Sequence, residues 1–115
     1  MRAEMETQQY TIYIGLNDSD THEQKHLTEK YVSVLKNVCF NYKVAFSVNL
    51  INGGYFHEDG SYVEEKTLAL MLMDVEESRV DDIAADLCAF FNQESVMVTK
   101  TPAQIRFISE SLKEE

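Results

Sequence analysis

Three groups of residues in this chain carry side chains that could do chemistry. His22-Glu-Gln-Lys-His26 spells the H-E-x-x-H pattern of zinc proteases. That chemistry needs both imidazoles one helical turn apart, with Glu23 between them to activate a metal-bound water. Lys25 places a cation inside the motif, and the flanks are polar. The only other histidine, His57, supplies no His-x-x-x-His. The segment therefore reads as an exposed helix start or loop, and no metal or other cofactor is expected.

The second group is Tyr55, Phe56, His57, Glu58, Asp59, Tyr62, Glu64 and Glu65. Aromatic rings and carboxylates on a long hairpin suit a recognition tip or a small site, and His57 beside carboxylates has the chemistry of a general base. Neighbours along a strand point to opposite faces, however, so adjacency in sequence does not make a site. The plainer expectation is an extended ribbon with aromatic cross-strand pairs.

The third group emerges from alternation. Tyr13, Ile51, Ala69, Met71, Met73 and Met97 fall on the same face of successive strands. A face this apolar is not an ordinary solvated surface, and methionine suits adaptable packing. Sheet-to-sheet homodimerisation is the first expectation for it. The chain also carries 20 acidic against 10 basic residues, a net charge of −10, and residues 58–86 hold ten carboxylates against Lys66 and Arg79. Glu58, Asp59, Glu64, Glu76, Glu77, Asp81 and Asp82 are thus a candidate acidic surface for a partner with a basic surface. Direct nucleic-acid binding, which needs cations to displace counterions, is not expected.

These residues need elements to hold them. At 115 residues with 44% hydrophobic content the chain reads as one domain, 1–115, with a real core. Residues 1–9 and 109–115 read as frayed tails. Tyr10, Ile12, Ile14 and Leu16 alternate as a first strand, and Asn17-Asp-Ser-Asp20 breaks it. Tyr31, Val34, Leu35, Val38 and Cys39 form a helical stripe ending near Asn41. That helix is capped either by a capping box (Thr21 with Gln24, or Asp20 with Glu23) or by Thr28, which leaves Thr21 to Leu27 as loop. Val44–Asn52 and Lys66–Asp74 alternate as two strands across a long connection, and the Asp59-Gly60 pair supplies positive φ for the turn. Val80, Ile83, Ala84, Leu87, Cys88 and Phe91 form a second stripe, with carboxylates crowding its start. Ser95–Thr101 is the fourth strand. Pro102 interrupts it, and Ala103–Ile108 is a short extra strand.

The order β-α-β-β-α-β is the split βαβ of ferredoxin-like α+β domains. Right-handed crossovers put both helices on one face of an antiparallel sheet. No apolar run reaches the roughly 18–20 residues of a membrane span, and residues 1–9 lack an apolar leader. Cys39 and Cys88 read as free thiols. Together these predict a cytoplasmic protein without a membrane. There is no glycine-rich phosphate loop, no Cys-x-x-Cys and no serine nucleophile elbow.

Tyr13-Ile-Gly15, Gly54, the Asp59-Gly60 turn, Glu65 before an apolar strand, and above all Phe91-Asn-Gln-Glu-Ser-Val96 resemble a family of small bacterial domains. The resemblance is strongest in the C-terminal half. It implies a ferredoxin-like fold; that family has no established activity, so it implies no chemistry. It draws notice to Gln93, Glu94 and Ser95, whose plain role is to close the second helix. The first functional expectation is a small acidic binding domain, not an enzyme, pairing through its methionine face. One alternative is a phage-type or mobile-element inhibitor occupying the basic groove of a nucleic-acid-handling protein. The other is a dimeric α+β barrel enzyme in which two sheets enclose a pocket lined by Tyr13, His57 and the methionines.

Overall fold

The computed structural model describes residues 4–110. Their elements are β1 (Glu4–Gly15), α1 (Thr28–Tyr42), β2 (Ser47–Phe56), β3 (Tyr62–Met73), α2 (Glu77–Phe90) and β4 (Met97–Arg106). The four strands form one antiparallel sheet in the order β2-β3-β1-β4. This is the ferredoxin-like α+β arrangement that the alternation predicts.

Period-2 patterning decides which face of the sheet is covered. Tyr10, Ile12, Ile14 and Leu16 of the β1 region, with Leu68, Leu70 and Leu72 of β3, are buried. They form one core with Tyr31, Leu35, Val38 and Cys39 of α1 and with Val80, Ile83, Ala84, Leu87 and Phe91. The two stripes read from the sequence are therefore the buried faces of the helices. Burying a large aliphatic side chain contributes roughly 1.5–3 kcal/mol, so this one-sided core is the main favourable term. Phe46, Val48 and Val96 pack at its margin. Val98, on the same face, is 38% exposed, because β4 is an edge strand.

Several local expectations are corrected. Residues 4–9 are not frayed: Glu4 to Gln9 pair with Arg106 to Thr101, so β1 is longer than its apolar part. Pro102 does not interrupt the last strand. It sits opposite Gln8 within a continuous β4; an edge strand tolerates a residue without an N–H. The extra strand at 103–108 is the end of β4 up to Arg106. Residues 1–3 and 111–115 of the expected tails lie outside the described residues. Neither capping box forms, and Thr28 is the first helical residue, not the cap. Leu27 is the cap residue and makes no side-chain cap hydrogen bond, while residues 21–27 are loop as the Thr28 alternative expects. The connection between β2 and β3 is shorter than read, because pairing continues to Phe56 opposite Tyr62. In the turn only Gly60 takes positive φ (87°). Asp59 acts through its side chain, accepting hydrogen bonds from the N–H (2.9 Å) and hydroxyl (2.6 Å) of Ser61. These hold its carboxyl below the ordinary aspartate range.

Both cysteines are free. Burial pushes the Cys39 thiol up to about 11, and the Cys88 thiol donates to the Gln93 carbonyl at 3.1 Å. Among the described residues no helix is long and apolar enough to cross a membrane.

Candidate functional site

The polar residues converge where β1 ends, and Glu65 is at the centre. Glu65 pairs with Gly53 in the sheet, and its side chain rises on the face away from the helices. It leans over Gly15, where an added Cβ would lie 2.5 Å from the carboxylate. A side chain at position 15 would push the carboxylate aside, so glycine there sets where Glu65 lies. The backbone N–H of Asn17 donates to Glu65 Oε2 at 3.1 Å. The Asn17 side chain donates to the Glu64 carbonyl at 3.3 Å.

The loop that carries Asn17 is clamped to the end of α2. Gln93 donates through Nε2 to the Asn17 carbonyl at 2.6 Å. The Asn92 carbonyl accepts from the Ser19 N–H at 3.0 Å. The Asn92 amide donates to Asp18 Oδ2 at 3.0 Å and to Asp20 Oδ2 at 2.9 Å. Asn92 reaches back because its φ is 49°, a left-handed conformation that asparagine tolerates. Asp18, the one buried charged residue among those described, also accepts from the N–H groups of Asp20 and Thr21 and pairs with Lys25 at 3.3 Å. The Asn92 hydrogen bond, then the backbone donors, hold its carboxyl well below the usual range. Phe91-Asn-Gln-Glu-Ser-Val96 thus does more than end a helix. It locks the loop that orients Glu65.

A cleft of about 350 Å³ opens beside this carboxylate, lined by Asn17, His22, Tyr55, His57, Glu65 and Gln93 among others. Two further hollows meet at Glu65. One, of about 610 Å³, includes Gln24, Tyr62 and Lys66. The other, of about 430 Å³, runs along the open sheet face past Tyr13, Ile51 and Met97. The apolar face and the polar site are therefore continuous.

The histidines are arranged differently from the motif that spells them. Residues 21–27 are not helical, so His22, Glu23 and His26 do not share a helix face. His22 has φ 61° and turns toward the hairpin, where its ring meets His57 edge-on at 6.2 Å. His26 packs against Tyr31 at 5.7 Å. Among the described residues no group of three or more His, Cys, Asp or Glu is placed to hold a metal ion.

The hairpin divides as alternation requires. Phe56 and Tyr62 are cross-strand partners with ring centroids 5.2 Å apart. Tyr55 and His57 turn together to the other side, at 5.4 Å, and face the Glu65 cleft. On the open face Ala69 is buried, Tyr13, Met71 and Met73 are half-buried, and Ile51 and Met97 are 40% and 57% exposed. The acidic residues do not form one patch. Glu58, Asp59 and Glu64 sit at the hairpin, whereas Glu76, Glu77, Asp81 and Asp82 belong to the start of α2. The length of β3 separates the two groups, roughly 30 Å from Glu64 to Asp74 at the usual strand rise. Glu77 is also engaged locally, by Lys100 and the Tyr10 hydroxyl.

No family model matches the chain, and no curated protein matches it. Solved structures do. A phage SAM lyase in complex with S-methyl-5'-thioadenosine is similar over 90% of this chain and 91% of its own, with a TM-score of 0.65 and 19% identity. Its apo state gives a TM-score of 0.67. CutA from Synechococcus elongatus is similar over 99% of this chain and 90% of its own, at 12% identity and a TM-score of 0.60. CPII from Thiomonas intermedia, a nitrogen regulatory PII-like protein in its apo form, is similar over 94% of this chain and all of its own, at 13% identity and a TM-score of 0.56. At these identities the likeness establishes a shared fold.

Proposed function

We propose that this chain is an enzyme that binds S-adenosylmethionine in the Glu65 cleft and releases S-methyl-5'-thioadenosine. The observation that carries the reading is the Glu65 carboxylate. It is fixed by the Asn17 N–H and seated on Gly15, at the meeting point of three hollows. An oriented carboxylate in a protein of net charge −10 suits a cationic small molecule. The likeness to the phage SAM lyase supports it as an analogy of fold.

The chemistry is balanced without a co-reactant. The α-carboxylate of S-adenosylmethionine attacks its own γ-carbon and closes a five-membered lactone. The γ-carbon–sulfur bond breaks and its electron pair goes to sulfur, which leaves as the neutral thioether. The substrate's ammonium keeps its charge throughout. Glu65 paired with that ammonium therefore binds ground state and transition state alike, and its contribution is to hold the amino-acid arm folded for attack. The test is incubation with S-adenosylmethionine and chromatographic detection of S-methyl-5'-thioadenosine and homoserine lactone. The absence of both products in the presence of folded protein overturns the reading.

Self-association through the open face is a second proposal, carried by the exposure of Ile51 and Met97 beside Tyr13, Met71 and Met73. Covering these side chains removes apolar area from water, and a second copy there would also wall the hollow that leads to Glu65. Native mass spectrometry tests it. A monomer at micromolar concentration contradicts it.

A further inference from the structure

We propose that the rings of His22, Tyr55 and His57 form a seat for the purine base of an uncharged or cationic nucleoside, and that this seat rejects nucleotides. The inference rests on the reading of the Glu65 cleft as a ligand site. Its own support is the arrangement of the three rings. Tyr55 and His57 meet at 83° and 5.4 Å, and His22 and His57 at 81° and 6.2 Å. Two segments far apart in sequence thus bring three aromatic rings to the wall of one cleft. All three residues are exposed. Among the described residues, no side-chain hydrogen bond engages the His22 or His57 imidazole or the Tyr55 hydroxyl. Their polar atoms, and the ring faces not used in these edge-on contacts, are open to a ligand.

Planar heteroaromatic bases stack on such side chains, and stacking is worth roughly 1–3 kcal/mol per base. Ser19, Gln93 and Ser95 on the same wall offer hydrogen-bonding groups for a base edge or a ribose. The volume, about 350 Å³, lies at the lower end of the range that holds small molecules. Charge then separates nucleosides from nucleotides. Asp18, Glu65 and Glu94 line this cleft, and Lys25 is already paired with Asp18. A phosphate would meet carboxylates, whereas a thioether or sulfonium would not be repelled.

Proton NMR of the imidazole C2–H signals tests this directly, because the chain has three histidines and His26 lies against Tyr31 instead. The signals are assigned with His22→Gln and His57→Gln. Titration with S-methyl-5'-thioadenosine is expected to move the His22 and His57 signals and leave His26 in place, while adenosine monophosphate at the same concentration moves none. His57→Ala and Tyr55→Leu, both surface changes, are expected to weaken thioadenosine binding about tenfold by calorimetry. Calorimetric binding that leaves the His22 and His57 signals unmoved overturns the proposal, as does nucleotide binding of equal strength. Signals that move without any cleavage of S-adenosylmethionine uphold the base seat and overturn the lyase reading. Cleavage with both signals unmoved does the reverse, and neither binding nor cleavage overturns both.

Discussion

The backbone N–H of Asn17 lies 3.1 Å from Oε2 of Glu65, a contact across 48 residues. It joins the loop after β1 to the middle of the β2–β3 ribbon and aims the one carboxylate that borders all three hollows of the site. Most of the functional consequences follow from what holds these two residues in register.

Gly15→Ala separates the position of the Glu65 carboxylate from the fold. The added Cβ meets the far end of a flexible side chain, not backbone, so the chain is expected to fold with an unchanged circular dichroism spectrum. The displaced carboxylate is expected to lower kcat/KM for S-adenosylmethionine about a hundredfold, the scale of an ångström's misplacement. Steady-state kinetics on the folded variant check this.

Gln93→Ala removes the 2.6 Å hydrogen bond to the Asn17 carbonyl without touching the carboxylate. Gln93 is a positioning residue. Its loss is expected to reduce kcat/KM less than Gly15→Ala does, about tenfold. Amide hydrogen exchange at residues 17–20 should rise in the same variant. Unchanged exchange would separate Gln93 from the loop.

Asp18 gives the loop an acid limit. Its carboxyl is held well below the usual range by Asn92, then by the backbone donors and Lys25. The folded protein therefore favours the charged form more than the unfolded chain does. The stabilisation is complete above the unfolded value, about pH 4. It falls as pH drops below that toward the folded value. Carboxyl-carbon NMR is expected to place the Asp18 midpoint below that of an ordinary aspartate. Asp18→Asn, which puts an amide where Asn92 needs an acceptor, is expected to remove this acid dependence from the 17–25 loop.

The open face and the core respond oppositely to substitution. Met97→Lys alters a side chain that is 57% exposed; it is expected to leave thermal stability nearly unchanged and to abolish self-association in native mass spectrometry. Ile83→Ala, at a fully buried position, is expected to cost about 2–5 kcal/mol in denaturant unfolding. If Met97→Lys unfolds the chain, the face is part of the core.

Period-2 and helical patterning made most of the fold legible, because the core lies on one face and each inward residue had to be apolar. Tyr10, Ile12, Leu35, Leu70, Val80 and Ile83 declare themselves this way. The ends of elements were not legible. Glu4 to Gln9 are polar, and only pairing with β4 makes them strand. The site was legible only in part. Gly15, Glu65 and Gln93 stood out through a resemblance, and Tyr55 and His57 through their chemistry. Nothing local shows that Asn17 reaches Glu65, or that His22 turns toward His57 and away from His26. Those contacts join segments tens of residues apart, and a spacing pattern such as H-E-x-x-H carries meaning only on a helix that this loop does not form. In the sequence a binding module comes ahead of an enzyme because the alternation shows an apolar methionine face and no complete catalytic motif. In the structure the carboxylates of residues 58–86 divide between the hairpin and α2, and Glu65 lines the cleft on which the proposed lyase reading rests.

The most direct measurement compares the unaltered protein with Glu65→Gln in the presence of S-adenosylmethionine, quantifying S-methyl-5'-thioadenosine by liquid chromatography and mass spectrometry. The expected result is catalytic release by the unaltered protein, many product molecules per chain, and a loss of about a hundredfold in the folded variant. Equal product from both proteins, or none from either, would contradict a Glu65-centred lyase.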